Sequence, residues 1–162
     1  MYAEGHANAF GFGIKDKAIK EFIDYCNIYL AYTSFEPCYY VDFVFSADNF
    51  NGIDIIEIAE LKSLWGQGID EPYIALENVK VMADNIILMS PDKSPTLKIT
   101  LPNGTTLIKF KSSQEEFESL KTDGLITIDI VGRCERNVWN GRVSPQIILE
   151  DYEIANKIEY YF

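Results

Sequence analysis

Trp139-Asn140-Gly141-Arg142 sets an indole plane and a guanidinium on either side of a two-residue turn, with Asn137, Ser144 and Gln146 close by. An indole stacks on a nucleobase, a guanidinium pairs with phosphate, and amides and hydroxyls bond to the remaining polar edges. More cations lie upstream: Arg133 and Arg136 just before the turn, and Lys98, Lys109 and Lys111 further back. If residues 105–111 form a strand, alternation puts Lys109 and Lys111 on one face. Each reading has a plain alternative. Trp139 packs against its own hairpin, or the lysines form an ordinary solvated face.

Hydrolytic chemistry is poorly supplied. The chain has one histidine, His6, and three widely spaced cysteines, Cys26, Cys38 and Cys134. That excludes a zinc site of the usual Cys/His spacing and leaves no disulfide framework. A nucleophile elbow of the form Gly-x-Ser-x-Gly and a phosphate-cradling Gly-x-x-x-x-Gly-Lys loop are both missing from the sequence.

The elements that must carry these residues follow from apolar spacing. Residues 9–14 and 39–45 read as strands. Between them, Ala18, Ile19, Phe22, Ile23 and Cys26 make one face of a helix over 17–30, with Asp16 as N-cap. A second amphipathic helix is expected over 53–64, followed by the glycine- and proline-punctuated connector Trp65-Gly66-Gln67-Gly68-Ile69-Asp70-Glu71-Pro72. From Tyr73 onward the pattern is β, with strands at 74–82, 85–89, 97–101, 105–111, 125–133 and 146–152. Pro102-Asn103-Gly104 makes a tight turn, and Ser113 with Glu116 a capping box for a helix to about Leu120. Asn140-Gly141 demands a type I′ hairpin. Five or six strands with one inserted helix suit an OB-type barrel, which binds oligonucleotides on one strand face and its adjoining loops; a β-sandwich fragment is the alternative. The fold class is α+β: a small α/β piece (1–50), a connecting helix and linker (51–72) and the barrel (73–162).

At 162 residues, 48% of them hydrophobic, the chain can build a core, and its cysteine usage fits a reducing cytoplasm. No run of about 18 apolar residues or signal-peptide pattern points to a membrane. The net charge of −11 looks wrong for a nucleic-acid binder. Its distribution resolves part of that conflict. Residues 36–92 hold two basic and eleven acidic side chains, whereas residues 93–145 hold eight basic and six acidic ones. A local basic face attracts phosphate within a Debye length of about 8 Å despite an acidic whole.

The order of motifs resembles the C-terminal half of the RecJ family, 5′–3′ exonucleases specific for single-stranded DNA. Gly5-His6-Ala7-Asn8-Ala9-Phe10-Gly11-Phe12 is similar to the Gly-Gly-His…Ala-Ala-Gly-Phe motif of the DHH-associated domain, with Glu4 where the family has a second glycine. The run Leu64–Pro72 is similar to the family's connector into its OB domain. Trp139 to Asp151 resembles the closing OB hairpin. The resemblance implies single-stranded DNA as partner, a role in DNA repair or recombination, and phosphate contact at Gly5 and His6. If the chain binds a single strand, Lys98, Lys109, Lys111, Arg133, Arg136, Trp139, Asn140, Arg142 and Gln146 are the expected nucleic-acid contacts. The family's metal-binding aspartates and Asp-His-His motif belong to an N-terminal domain, and no Asp-His-His occurs here. The chain therefore reads as a fragment or truncated product, inactive alone and without a cofactor, with manganese or magnesium expected in a full-length enzyme. A DHH catalytic domain, a helicase or a single-strand-binding protein are the protein partners to expect. The alternative is an acidic docking domain of a DNA repair or phage replication complex.

Overall fold

Apolar residues at alternate positions in the second half of the chain build a sheet whose two faces have different fates. The computed structural model describes residues 2–6, 9–34, 38–121 and 124–158. It divides into two compact units, Met1–Cys38 and Tyr39–Phe162.

In the first unit, β1 (Tyr2–His6) and β2 (Ala9–Gly13) form an antiparallel hairpin. A 3-10 turn (Asp16–Ala18) leads into α1 (Ile19–Tyr29). Asp16 does not cap this helix. It opens the 3-10 turn, and Ala18 holds the cap position of α1 without a side-chain hydrogen bond. The rings of Phe12 and Phe22 pack with centroids 5.0 Å apart.

The second unit begins earlier than residue 73. It holds β3 (Phe43–Ser46), α2 (Gly52–Glu60), a 3-10 turn (Leu61–Leu64) and β4 (Ile74–Met82). After a 3-10 turn at Ala83–Asn85 come β5 (Ile86–Met89), β6 (Thr96–Thr100), β7 (Thr106–Phe110), α3 (Gln114–Leu120), β8 (Leu125–Trp139) and β9 (Arg142–Ile158). The strands hydrogen-bond in the order β3-β4-β8-β9-β7-β6-β5. β4 passes through the 3-10 turn Ala83–Asn85 directly into β5, and the two stand at opposite ends of the run β4-β8-β9-β7-β6-β5, the connectivity of the expected OB-type barrel of five or six strands. Its β7–β9 pair is parallel and its other pairs antiparallel.

Two physical reasons move the boundary to residue 38. β3 extends the sheet by pairing in parallel with β4, Phe43 against Ile74. Ile55 and Ala59 of α2 belong to the barrel's buried core. Asn51 caps this helix by accepting the Ile53 amide at 3.1 Å. The connector is likewise held in this unit, because Glu71 lies 3.5 Å from Arg133.

The core is aliphatic: Ile74, Leu76, Val81, Ile86, Leu97, Ile99, Leu107, Leu120, Ile126, Ile128, Ile130 and Ile147 are all essentially inaccessible to solvent. β8 and β9 run well past their expected ends at Arg133 and Gln146 as a two-stranded ribbon. Among the described residues, no helix is long and apolar enough to cross a membrane.

Lys109 and Lys111 do not share a face. The strand ends at Phe110, and Lys111 takes a left-handed conformation (φ 58°) beyond it. Lys109 has the parity of buried Leu107, and its Nζ donates to Glu116 Oε1 of α3 while lying 5.2 Å from the Tyr152 ring centroid. The capping box is therefore half made. Ser113 Oγ accepts the Glu116 amide at 3.0 Å, but the Glu116 carboxylate is taken by Lys109. Burial pushes the Glu116 carboxyl up, and Lys109 and the Tyr152 hydroxyl outweigh that, holding it below the ordinary 4.5.

Two stability measurements test this arrangement. Ile55→Ala should cost about 2–5 kcal/mol in urea denaturation, because it opens a cavity where α2 meets the barrel; a negligible cost would detach α2 from the core. Glu116→Gln should cost about 1–2 kcal/mol at neutral pH, between the values for exposed and buried pairs. A lowered folded pKa means the unfolded chain takes up this proton first, so the carboxylate's contribution is present above 4.5 and fades as pH falls through the folded value. The difference between wild type and Glu116→Gln should shrink accordingly in acid.

Candidate nucleic-acid interface

Side chains alternate across a sheet, so register alone sorts the residues of the barrel into inward and outward sets. The inward set includes Leu97, Leu107, Cys134 and Ile147. The outward set forms continuous rows. One row runs Ile87, Lys98, Ile108, Ile148, Arg133 across β5, β6, β7, β9 and β8, and within it Ile108 is buried. A second runs Thr100, Thr106, Gln146, Glu135. Towards the ribbon tip come the pairs Asn137–Ser144 and Trp139–Arg142; at the opposite end, Met89, buried Thr96 and Phe110 stand abreast in register.

At the tip, Asn140 (φ 49°) and Gly141 (φ 75°) both have the positive φ of a type I′ turn. The turn fixes the register that puts Trp139 opposite Arg142. Trp139 is 73% exposed, so it does not pack against its own hairpin. Arg142 is exposed and makes no ion pair among the described residues. Asn137 Nδ2 donates to Ser144 Oγ at 3.5 Å, leaving both groups largely available.

The other basic residues divide into free and engaged. Lys98 on the outward face and exposed Lys111 have no carboxylate partner among the described residues. Arg133 is engaged: it lies 2.8 Å from Glu150, 3.5 Å from Glu71 and 5.5 Å from the Tyr73 ring centroid. The Glu150 hydrogen bond outweighs burial and strengthens its hold on the proton. Arg136 Nη1 donates to Glu60 of α2 at 3.3 Å. Lys109, as described above, serves α3. Gln146 is half-buried between Thr106 and Glu135 on the outward face.

Gly5 pairs with Phe10 in the first unit, with φ 143°. The His6 side chain lies outside the described residues. Cys134 is buried on the inward side, and burial pushes its thiol up to about 12, so it is unreactive. Among the described residues, no three His, Cys, Asp or Glu side chains converge as a metal site.

One outward residue escapes the sequence reading. Phe110 is 57% exposed, yet Thr-Leu-Ile-Lys-Phe is apolar at both parities and does not reveal which side faces water. The signal would have been the buried Leu107, three positions away and of opposite parity.

The profile of the RecJ OB domain family matches residues 41–151. Among curated proteins, the chain is 27% identical over 162 residues to the SPbeta prophage-derived single-strand DNA-specific exonuclease YorK of Bacillus subtilis (strain 168), and equally to its counterpart in Bacillus phage SPbeta. The alignment takes in 95% of this chain but only 27% of each relative. Among solved structures, RecJ of Thermus thermophilus in complex with Mn2+ superposes with a TM-score of 0.62 at 17% identity, covering 98% of this chain and 22% of that one. Its Mg2+ complex gives 0.62 at 16% identity. The profile match spans most of the second unit and the superposition reproduces the fold: the chain belongs to the RecJ family and corresponds to its C-terminal OB portion.

Proposed function

We propose that the outward face of the barrel, from the β8–β9 tip across β9 and β7 to β6, holds single-stranded DNA for a RecJ-like exonuclease. The observation that carries this reading is Trp139: a large ring, 73% exposed, opposite an unpaired arginine. The turn beside it joins the last two barrel strands, one of the loops with which OB folds grip oligonucleotides. A ring left in water here has no folding role, whereas stacking on a base is worth about 1–3 kcal/mol.

Hydrolysis needs more than this face supplies. The family resemblance points to manganese or magnesium held by carboxylates and histidines, and the described residues offer no such cluster. In this reading, cutting is the work of a DHH-type catalytic portion, and the OB unit keeps the strand aligned with it. The acidic stretch 36–92 favours a second reading, a docking surface for a basic protein such as a helicase.

The division of cations makes the proposal quantitative. Each neutralised phosphate of a single strand contributes about −0.7 to the slope of log K against log salt. Lys98, Lys111 and Arg142 together predict a slope of about −2, whereas engagement of Lys109, Arg133 and Arg136 as well would give about −4. Fluorescence anisotropy of a labelled oligo-dT across a salt series measures it, and Trp139→Ala should weaken binding by about 1–3 kcal/mol without loss of fold. No binding at low salt would put the docking reading in front.

A further inference from the structure

Trp139 has a counterpart at the far end of the same outward face. Phe110 is 57% exposed, and among the described residues its ring has no aromatic or cationic partner. It closes β7 opposite Thr96, and Thr96 opens β6 just after the loop from β5, residues 90–95. The Ser112 amide donates to the Pro95 carbonyl at 3.0 Å, which ties the chain beyond Phe110 to that loop. OB folds grip oligonucleotides with two loops: the one between the last two strands, beside Trp139, and the one between the first two, beside Phe110.

The two ends are built alike. Trp139 stands opposite Arg142, while Phe110 is followed by Lys111, and the 90–95 loop tied to Ser112 carries Lys93, with Asp92 as its one carboxylate. None of these three cations has an ion-pair partner among the described residues. Lys98 stands on the face between the two ends, two residues along β6 from Thr96.

Register gives the spacing. Phe110 is four residues along β7 from Thr106, Thr106 pairs with Gln146, and Gln146 is four residues along β9 from Arg142. The two strands are parallel, so the steps add to eight residues, about 26 Å at the rise of a β-strand. An extended nucleic-acid strand covers that span with about four to five nucleotides, at the lower end of the 4–16 that an OB fold occupies.

We propose that Phe110 is a second base-stacking platform, and that Trp139 and Phe110 bracket a footprint of about four to five nucleotides with Lys98 on the phosphates between them. This rests on the outward face being the single-stranded DNA surface. It adds a residue and a length that the family likeness does not assign.

A ladder of labelled oligo-dT from two to ten nucleotides, titrated by anisotropy with the full chain, tests it. Wild-type affinity should climb steeply up to about five nucleotides and then flatten. Phe110→Ala should lose roughly tenfold on six nucleotides, move the plateau to shorter oligonucleotides, and leave thermal unfolding unchanged, because the ring is exposed. Phe110→Trp should restore both affinity and plateau. If Phe110→Ala binds six nucleotides within twofold of wild type while Trp139→Ala is weakened, the second platform is wrong and the hairpin reading stands. If wild type binds no oligonucleotide, both fall together.

Discussion

The register of the β8–β9 ribbon is the constraint on which the rest depends. Asn140 and Gly141 accept positive φ, and the type I′ turn they make pairs Trp139 with Arg142. From there parity runs down the ribbon without choice until the register shift between Gly132 and Val131. Cys134 and Ile147 go into the core; Arg133, Gln146 and Trp139 go out. A slip of one residue would send the aromatic ring inward and expose the aliphatic set, so the turn specifies the core and the outer face together. Gly132 shows how tight this is: a Cβ there would run into the Ile148 carbonyl oxygen and the Ile147 side chain.

A second theme is the sorting of positive charge. The segment 93–145 carries a small excess of basic side chains, but much of it is spent within the protein. Arg136 ties the ribbon to α2 through Glu60, Arg133 ties β8 to the connector and to β9 through Glu71 and Glu150, and Lys109 holds α3 through Glu116. What remains for a polyanion is Lys98, Lys111 and Arg142, with Lys93 at the loop. Under the proposed function, an acidic protein with few free cations on one face is expected to bind modestly and with a shallow salt dependence, as a module that guides a strand past itself would.

The legible parts of this fold were those with a strong local signal. The strands from Ile74 to Phe110, the Pro102-Asn103-Gly104 and Asn140-Gly141 turns and the Ser113 cap appear where the sequence puts them to within a residue or two, since each is decided by residues close along the chain; the Lys109–Lys111 alternation fails because the strand stops at Phe110. β1 and the allegiance of β3 and α2 were not legible. β1 shows no alternation and exists through pairing with β2, and β3 and α2 belong to the barrel through long-range contacts at Ile74 and Ile55. The candidate site divides the same way. Trp139 and Arg142 were visible from turn chemistry alone, whereas the engagement of Lys109, Arg133 and Arg136 depends on carboxylates far along the chain. Phe110 was hidden because both faces of its strand are apolar in sequence.

Mapping backbone amide and indole NMR shifts during titration with a short oligo-dT tests the central claim most directly, that one outward face holds the strand. The account predicts changes confined to that face and its loops: the Trp139 indole, Arg142, Gln146, Lys98 and Phe110, with the inward core and the acidic residues between 36 and 82 unmoved. Shifts centred on the acidic stretch, or none on the outward rows at saturating oligonucleotide, would contradict it.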